Sequence, residues 1–160
     1  MTERGLKGAL GLGVSLLLAY AAGFLGSLAT APAIDSWYAT LVKPELSPPN
    51  WIFAPVWSTL YALMAIAAWR VYRTGNTKCA RRALATYGVH LILNALWSFA
   101  FFGLQNPPLG LGVIIALLAL ILATTWQFYR IDRIAGLLFV PYILWVSFAT
   151  YLNFALVQLN

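Results

Sequence analysis

The chain has 160 residues, of which 62% are apolar and 9% charged, with a formal net charge of +6. A water-soluble domain carries about 45–50% apolar and about 25% charged residues, so this composition excludes an ordinary soluble protein. One cysteine, Cys79, and one histidine, His90, exclude an internal disulfide framework and a Cys/His metal set, so no cofactor is expected. The basic residues cluster at the ends of apolar runs rather than along a polar face, and nucleic acid is not an expected partner.

A helix rising about 1.5 Å per residue crosses a hydrocarbon layer about 30 Å thick in about 20 residues. Charge-free runs of that length fall near 8–28, 52–70, 83–104, 109–129 and 134–157, which predicts an all-α membrane protein, one five-helix domain over 1–160. Barrel strands would show ten-residue segments of alternating polarity, and there are none.

Arg4, Lys7 and the following apolar run, ending at Ala29-Thr30-Ala31, share the plan of a secretory signal. The run is longer than the roughly 7–15 apolar residues of such signals, so a retained helix is expected. Its Ala9, Gly13, Ala22 and Gly26 form small-xxx-small pairs that would admit a close neighbour. Residues 29–51 hold Trp37, Tyr38, Lys43, Pro44, Pro48, Pro49 and Trp51, too aromatic and proline-stiffened for a slack linker, and are expected to form a lid loop. The second span places Trp57, Tyr61 and Met64 on one face; the third does the same with His90, Asn94, Trp97 and Phe101. Pro107 and Pro108 open the fourth, where helix starts tolerate a missing N–H. The fifth aligns Pro141, Trp145, Ala149 and Asn153, and Pro141 should free the Leu137 carbonyl and kink it.

Five crossings put nine of the ten Lys and Arg at one end of the bundle, leaving Lys43 at the other. The positive-inside rule then predicts a cytoplasmic amino terminus and an external carboxyl terminus. Trp69, Tyr72, Trp126 and Tyr129 are placed as an interfacial belt at the charged end. All four acidic residues, Glu3, Asp35, Glu45 and Asp132, fall in loops or at span ends. Proton relay, charge-driven transport and carboxylate catalysis therefore lose support, and no Ser/His/Asp set exists for a hydrolase. His90 reads as a hydrogen-bonded structural residue. The remaining aromatics, with Asn94 and Asn153, fall in the outer half beneath the lid loop, which is either ordinary packing or the wall of a site for a small hydrophobic ligand.

Trp37-Tyr38, Lys43-Pro44, Pro48-Pro49-Asn50-Trp51-Ile52-Phe53-Ala54-Pro55-Val56-Trp57, Leu60-Tyr61 and Met64 closely resemble the signature of the translocator protein family, also called the tryptophan-rich sensory protein or peripheral-type benzodiazepine receptor family. Leu93-Asn94-Ala95-Leu96-Trp97-Ser98 with Phe101-Phe102, and Pro141-Tyr142 with Trp145, Phe148-Ala149 and Leu152-Asn153, agree in order along nearly the whole chain. The resemblance implies a homodimeric receptor or transporter in a bacterial cell membrane, or in an outer or organellar one. It implies porphyrin binding in an aromatic pocket, and carries ligand contacts onto Trp51, Phe53, Tyr61, Asn94, Trp97, Trp145 and Ala149, with Trp37, Trp57, His90 and Asn153 behind them. A light- and oxygen-dependent breakdown of porphyrin, or a ligand-gated sensor or scaffold, are the alternatives; neither brings a conventional acid/base site. The sterol pattern of some members ends in a basic residue after Tyr, but no Lys or Arg follows Tyr151 here, so sterol binding is not expected.

Overall fold

The computed structural model describes the chain from Glu3 onward, with side chains from Gly8; Arg4 and Lys7 therefore lie outside the described side chains. Seven α-helices follow in order: α1 (Glu3–Ile34), α2 (Trp37–Thr40), α3 (Phe53–Arg73), α4 (Lys78–Ser98), α5 (Pro107–Ile131), α6 (Arg133–Leu137) and α7 (Val140–Leu159). A single 3₁₀ turn, Asn50–Ile52, leads into α3, and a π turn, Phe99–Gly103, ends α4. These combine into five segments long and apolar enough to cross a membrane, Gly8–Ile34, Asn50–Arg73, Lys78–Gly103, Pro107–Ile131 and Arg133–Leu159. No strand occurs among the described residues. The protein is a multi-pass membrane protein.

Local chemistry explains the ends. Thr77 caps α4 by accepting a hydrogen bond from the Ala80 N–H at 3.1 Å, and Asn106 caps α5 by accepting from Leu109 at 3.0 Å. Gly75, at φ +105°, makes the turn between α3 and α4 in the left-handed region open to a residue without a Cβ. Leu17, Leu144 and Trp126, each more than 60% exposed, belong to the apolar surface that meets lipid. At the charged end Arg73 lies 4.8 Å over the Trp69 ring and Arg130 5.7 Å over that of Trp126.

Four sequence expectations change. First, α1 does not stop at residue 28: it continues through Pro32 to Ile34, stabilised by the Thr30 hydroxyl donating to the Gly26 carbonyl and the Ser36 hydroxyl to that of Pro32. Residues 29–34 are therefore helical wall, and the connection begins at Asp35. Second, Ala9 is exposed and a Cβ on Gly13 would meet nothing within 4 Å. Ala22 and Gly26 do lie on the close face of α1, together with Gly11, Ala19, Gly23 and Ala29, because these turn toward α3 and α4. Third, Pro141 does not kink a continuous helix. The fifth span breaks at Leu138–Phe139, and Pro141 occupies the first turn of α7, where its missing N–H leaves no gap. Fourth, the third span starts at Lys78 rather than 83, since Thr77 supplies the cap.

The join between the last two spans is a tight turn. Gly136 lies so near Tyr129 that an added Cβ would sit 2.6 Å from its Cα. Asp132 accepts a hydrogen bond from the Ala135 N–H at 3.1 Å and forms a 2.8 Å ion pair with Arg70 of α3. Burial pushes its carboxyl up, but the Ala135 N–H and the Arg70 guanidinium more than offset this and hold it below the usual carboxylate range. A depressed folded-state pKa makes the contribution complete above the unfolded value of about 4 and lost as pH falls through the folded one. Asp132→Ala should destabilise the protein by about 1–2 kcal/mol at neutral pH, read as a lowered Tm in detergent. The difference from wild type should shrink below about pH 4.

Candidate functional site

α1, α3, α4 and α7 do not close completely at the end opposite the charged one. They leave a cavity of about 300 Å³. Phe53, Trp57 and Tyr61 of α3, Asn94 and Trp97 of α4, and Trp145, Ala149 and Asn153 of α7 line it. Among the described residues no Asp, Glu, Lys or Arg does. Rings on the wall pair with one another: Trp57 stacks on Tyr61 with centroids 5.6 Å apart, Phe53 meets Trp145 edge-on at 5.9 Å, and Trp97 stacks on Phe101 at 5.6 Å.

The π turn at Phe99–Gly103 brings Phe101 and Phe102 to the wall together. An ordinary α turn offsets neighbouring side chains by about 100°, and the wider turn changes that phase. Beyond them the connection from α1 to α3 forms a roof. Trp37 of α2 packs edge-on to Phe101 at 5.6 Å, and Tyr38 packs likewise on Phe102 at 5.5 Å. Lys43 stands 4.6 Å over the Tyr38 ring, one side chain removed from the cavity. The far end of the roof is tied to the carboxyl terminus, because Asn160 accepts from the Val42 N–H at 2.9 Å and donates to its carbonyl at 3.0 Å.

The two amides of the wall are bonded to its rings, while Ser27 and Thr30 donate to carbonyls of their own helix. The Tyr61 hydroxyl donates to Asn94 Oδ1 at 2.7 Å and Asn94 Nδ2 donates to Tyr142 Oη at 2.9 Å. Trp97 Nε1 donates to Asn153 Oδ1 at 3.3 Å, whose Nδ2 donates to the Pro107 carbonyl at 2.8 Å. Trp145 Nε1 is buried with no protein acceptor, inside the wall rather than at its surface; an unpaired buried donor costs about 1–3 kcal/mol.

Of the residues singled out from sequence, Phe53, Tyr61, Asn94, Trp97, Trp145 and Ala149 are brought together, joined by Trp57 and Asn153. Trp51 is not. It sits in the 3₁₀ turn before α3 with its indole 73% exposed, because the turn directs Asn50 and Phe53, its neighbours in sequence, to the cavity instead. Trp37 lies behind Phe101 and Phe102, and His90 is fully buried one layer deeper. What sequence reading missed is the α1 wall, formed by Gly23, Gly26, Ser27 and Thr30. Their spacing is helical, but small and hydroxyl residues lack the aromatic signature that marked the other spans.

Five apolar crossings with an uncharged, aromatic-lined cavity at one end define a multi-pass membrane protein of the helical-bundle class. Residues 15–159 match the TspO/MBR family, and the chain belongs to that family. It is similar to the tryptophan-rich protein TspO of Chlorobaculum tepidum, with 43% identity over 96% of this chain and 98% of that one. It is also similar to the tryptophan-rich sensory protein of Cereibacter sphaeroides, 41% identical over 84% and 85% of the two chains. The translocator protein of Bos taurus is 34% identical over 90% and 86%.

Gly23 controls the width of the cavity. A Cβ there would lie 2.4 Å from the Tyr61 ring, so Gly23→Ala should push that ring off Asn94 and cost about 1–3 kcal/mol through overpacking. Thermal unfolding should register the loss, whereas Gly13→Ala, in open space, should leave Tm unchanged.

Proposed function

We propose that this protein is a membrane receptor or transporter whose cavity takes porphyrins and related flat, apolar molecules. The observation that carries this reading is the aromatic wall of Trp57, Tyr61, Trp97 and Trp145 without a charged side chain. A planar macrocycle stacking there gains about 0.5–1.5 kcal/mol per ring pair beyond the burial of its area. The cavity's volume of about 300 Å³ lies at the lower end of the range for ligand sites. A tetrapyrrole therefore enters with part of its ring system, and its carboxylates remain at the mouth, where Lys43 beside Tyr38 supplies a positive charge. The names of the relatives, a sensory protein and a translocator protein, fit a protein that responds to or carries a small molecule.

The same reading orients the molecule with its basic end in the cytoplasm of a bacterial membrane and the roofed end outside, following the positive-inside rule. Light- and oxygen-dependent breakdown of the bound porphyrin is the second reading. It is favoured by the Trp57 and Trp145 indoles on the wall, which stand beside any guest as oxidisable groups; Trp51 does not.

Titration of the purified protein in detergent with protoporphyrin should quench tryptophan fluorescence saturably. Trp145→Ala, which removes one ring face and the apolar area it offers, should weaken binding about tenfold. Absence of saturable quenching in the wild type would end the tetrapyrrole reading. Porphyrin absorbance decaying under illumination at the same rate with and without protein would end the second.

A further inference from the structure

Behind the cavity wall runs a chain of hydrogen bonds whose direction is forced at its far end. His90 is fully buried, with Nδ1 2.9 Å from the Tyr87 carbonyl and Nε2 3.2 Å from Tyr142 Oη. A carbonyl only accepts, so Nδ1 must carry a proton, and in the neutral ring Nε2 is then a bare acceptor. Tyr142 donates its hydroxyl proton to Nε2 and is left to accept from Asn94 Nδ2 at 2.9 Å. That sets the Asn94 amide with Oδ1 toward Tyr61, whose hydroxyl donates to it at 2.7 Å. Every proton in the series is placed by the carbonyl of Tyr87, and the last one points away from the cavity.

We infer that His90, acting through Tyr142 and Asn94, determines which hydrogen-bond partner the cavity accepts: the Tyr61 oxygen faces a guest as an acceptor, and the site selects molecules that present an N–H or O–H there. His90 and Tyr142 touch no guest; they are positioning residues. The inference deepens the proposed binding function and rests on guests entering this cavity.

Without an acceptor at His90 the series reverses. The two bonds of Asn94 survive a flip of its amide, with Tyr142 donating to Oδ1 and Nδ2 donating to Tyr61. The flip moves the one unpaired proton from a buried site at Tyr142 to Tyr61 at the cavity, where a guest can receive it. His90→Phe should therefore turn Tyr61 from acceptor to donor, whereas His90→Gln, whose amide can donate to Tyr87 and accept from Tyr142, should keep the original direction.

The test uses carbazole and dibenzofuran, three-ring molecules of one shape that differ by an N–H against an ether oxygen. In titrations of the purified protein followed by tryptophan fluorescence, wild type and His90→Gln should bind carbazole about fivefold more tightly, the ratio one net hydrogen bond supplies. In His90→Phe and Tyr61→Phe the ratio should fall to about one or below. Because the chain has a single histidine, ¹⁵N NMR of histidine-labelled protein reports its tautomer without assignment, and a proton on Nδ1 alone is expected even if His90→Phe fails to fold. Equal affinity for the two probes in wild type, an undiminished preference in His90→Phe, or a proton on Nε2 would each overturn the inference. Equal probe affinity alongside saturable protoporphyrin quenching would leave the tetrapyrrole reading standing. A carbazole preference without protoporphyrin binding would do the reverse.

Discussion

Polar side chains inside this bundle have only each other and the backbone to bond with. His90, Asn94, Thr124 and Asn153 are all buried, and in a lipid-embedded fold leaving such groups unpaired is costly. Thr124 satisfies itself locally, its hydroxyl donating to the Leu120 carbonyl at 2.8 Å. His90 does so at Nδ1, on the Tyr87 carbonyl of its own helix, while its Nε2 and the amides of Asn94 and Asn153 bond across α3, α4, α5 and α7. These cross-links hold the spans in one relative register at the level of the cavity, where apolar surface alone would allow helices to slide.

The cavity exists because large rings and small residues are placed opposite one another. α1 contributes Gly23 and Gly26, against which Tyr61 and Ser98 approach within distances that a Cβ would not permit. Further toward the charged end the spans close on a dense core of Met64, Ala65, Ile121, Phe128 and Phe139, all fully buried. That core sits beside a groove of about 920 Å³ between α1, α3 and α4, lined by Gly11, Tyr72 and Leu84 among others, while the ring-lined cavity lies at the opposite end. A hollow lined by rings that pair with one another, as Trp57 does with Tyr61 and Phe53 with Trp145, keeps its shape without a guest because each ring is held from behind.

The roof is anchored at both edges. At one, Trp37 and Tyr38 interlock with Phe101 and Phe102; at the other, two hydrogen bonds join Val42 to Asn160. The Tyr38 ring is nearly buried beneath Lys43, and burial pushes its hydroxyl pKa up, so it remains a neutral donor and acceptor near the cavity mouth. Asn160, the residue that follows α7, thereby ties the roof to the fifth span.

Five crossings, the segregation of basic residues and the aromatic faces of three spans were legible in the residues themselves, because each depends on a period or a length along one helix. Trp57 and Tyr61, or Asn94 and Trp97, share a face by spacing alone. What spacing does not carry is phase between helices: which part of α1 meets Tyr61, that the π turn swings Phe102 toward the wall, that Trp51 faces away while Phe53 faces in. Nor does it show that His90 and Tyr142, 52 positions apart, meet at 3.2 Å. Those relations depend on rotations of packed helices about their own axes, set by contact between spans. The sequence by itself determined a bundle for lipid with rings and amides at one height; only packing decided that they enclose a space, and in which direction the hydrogen bonds behind it run.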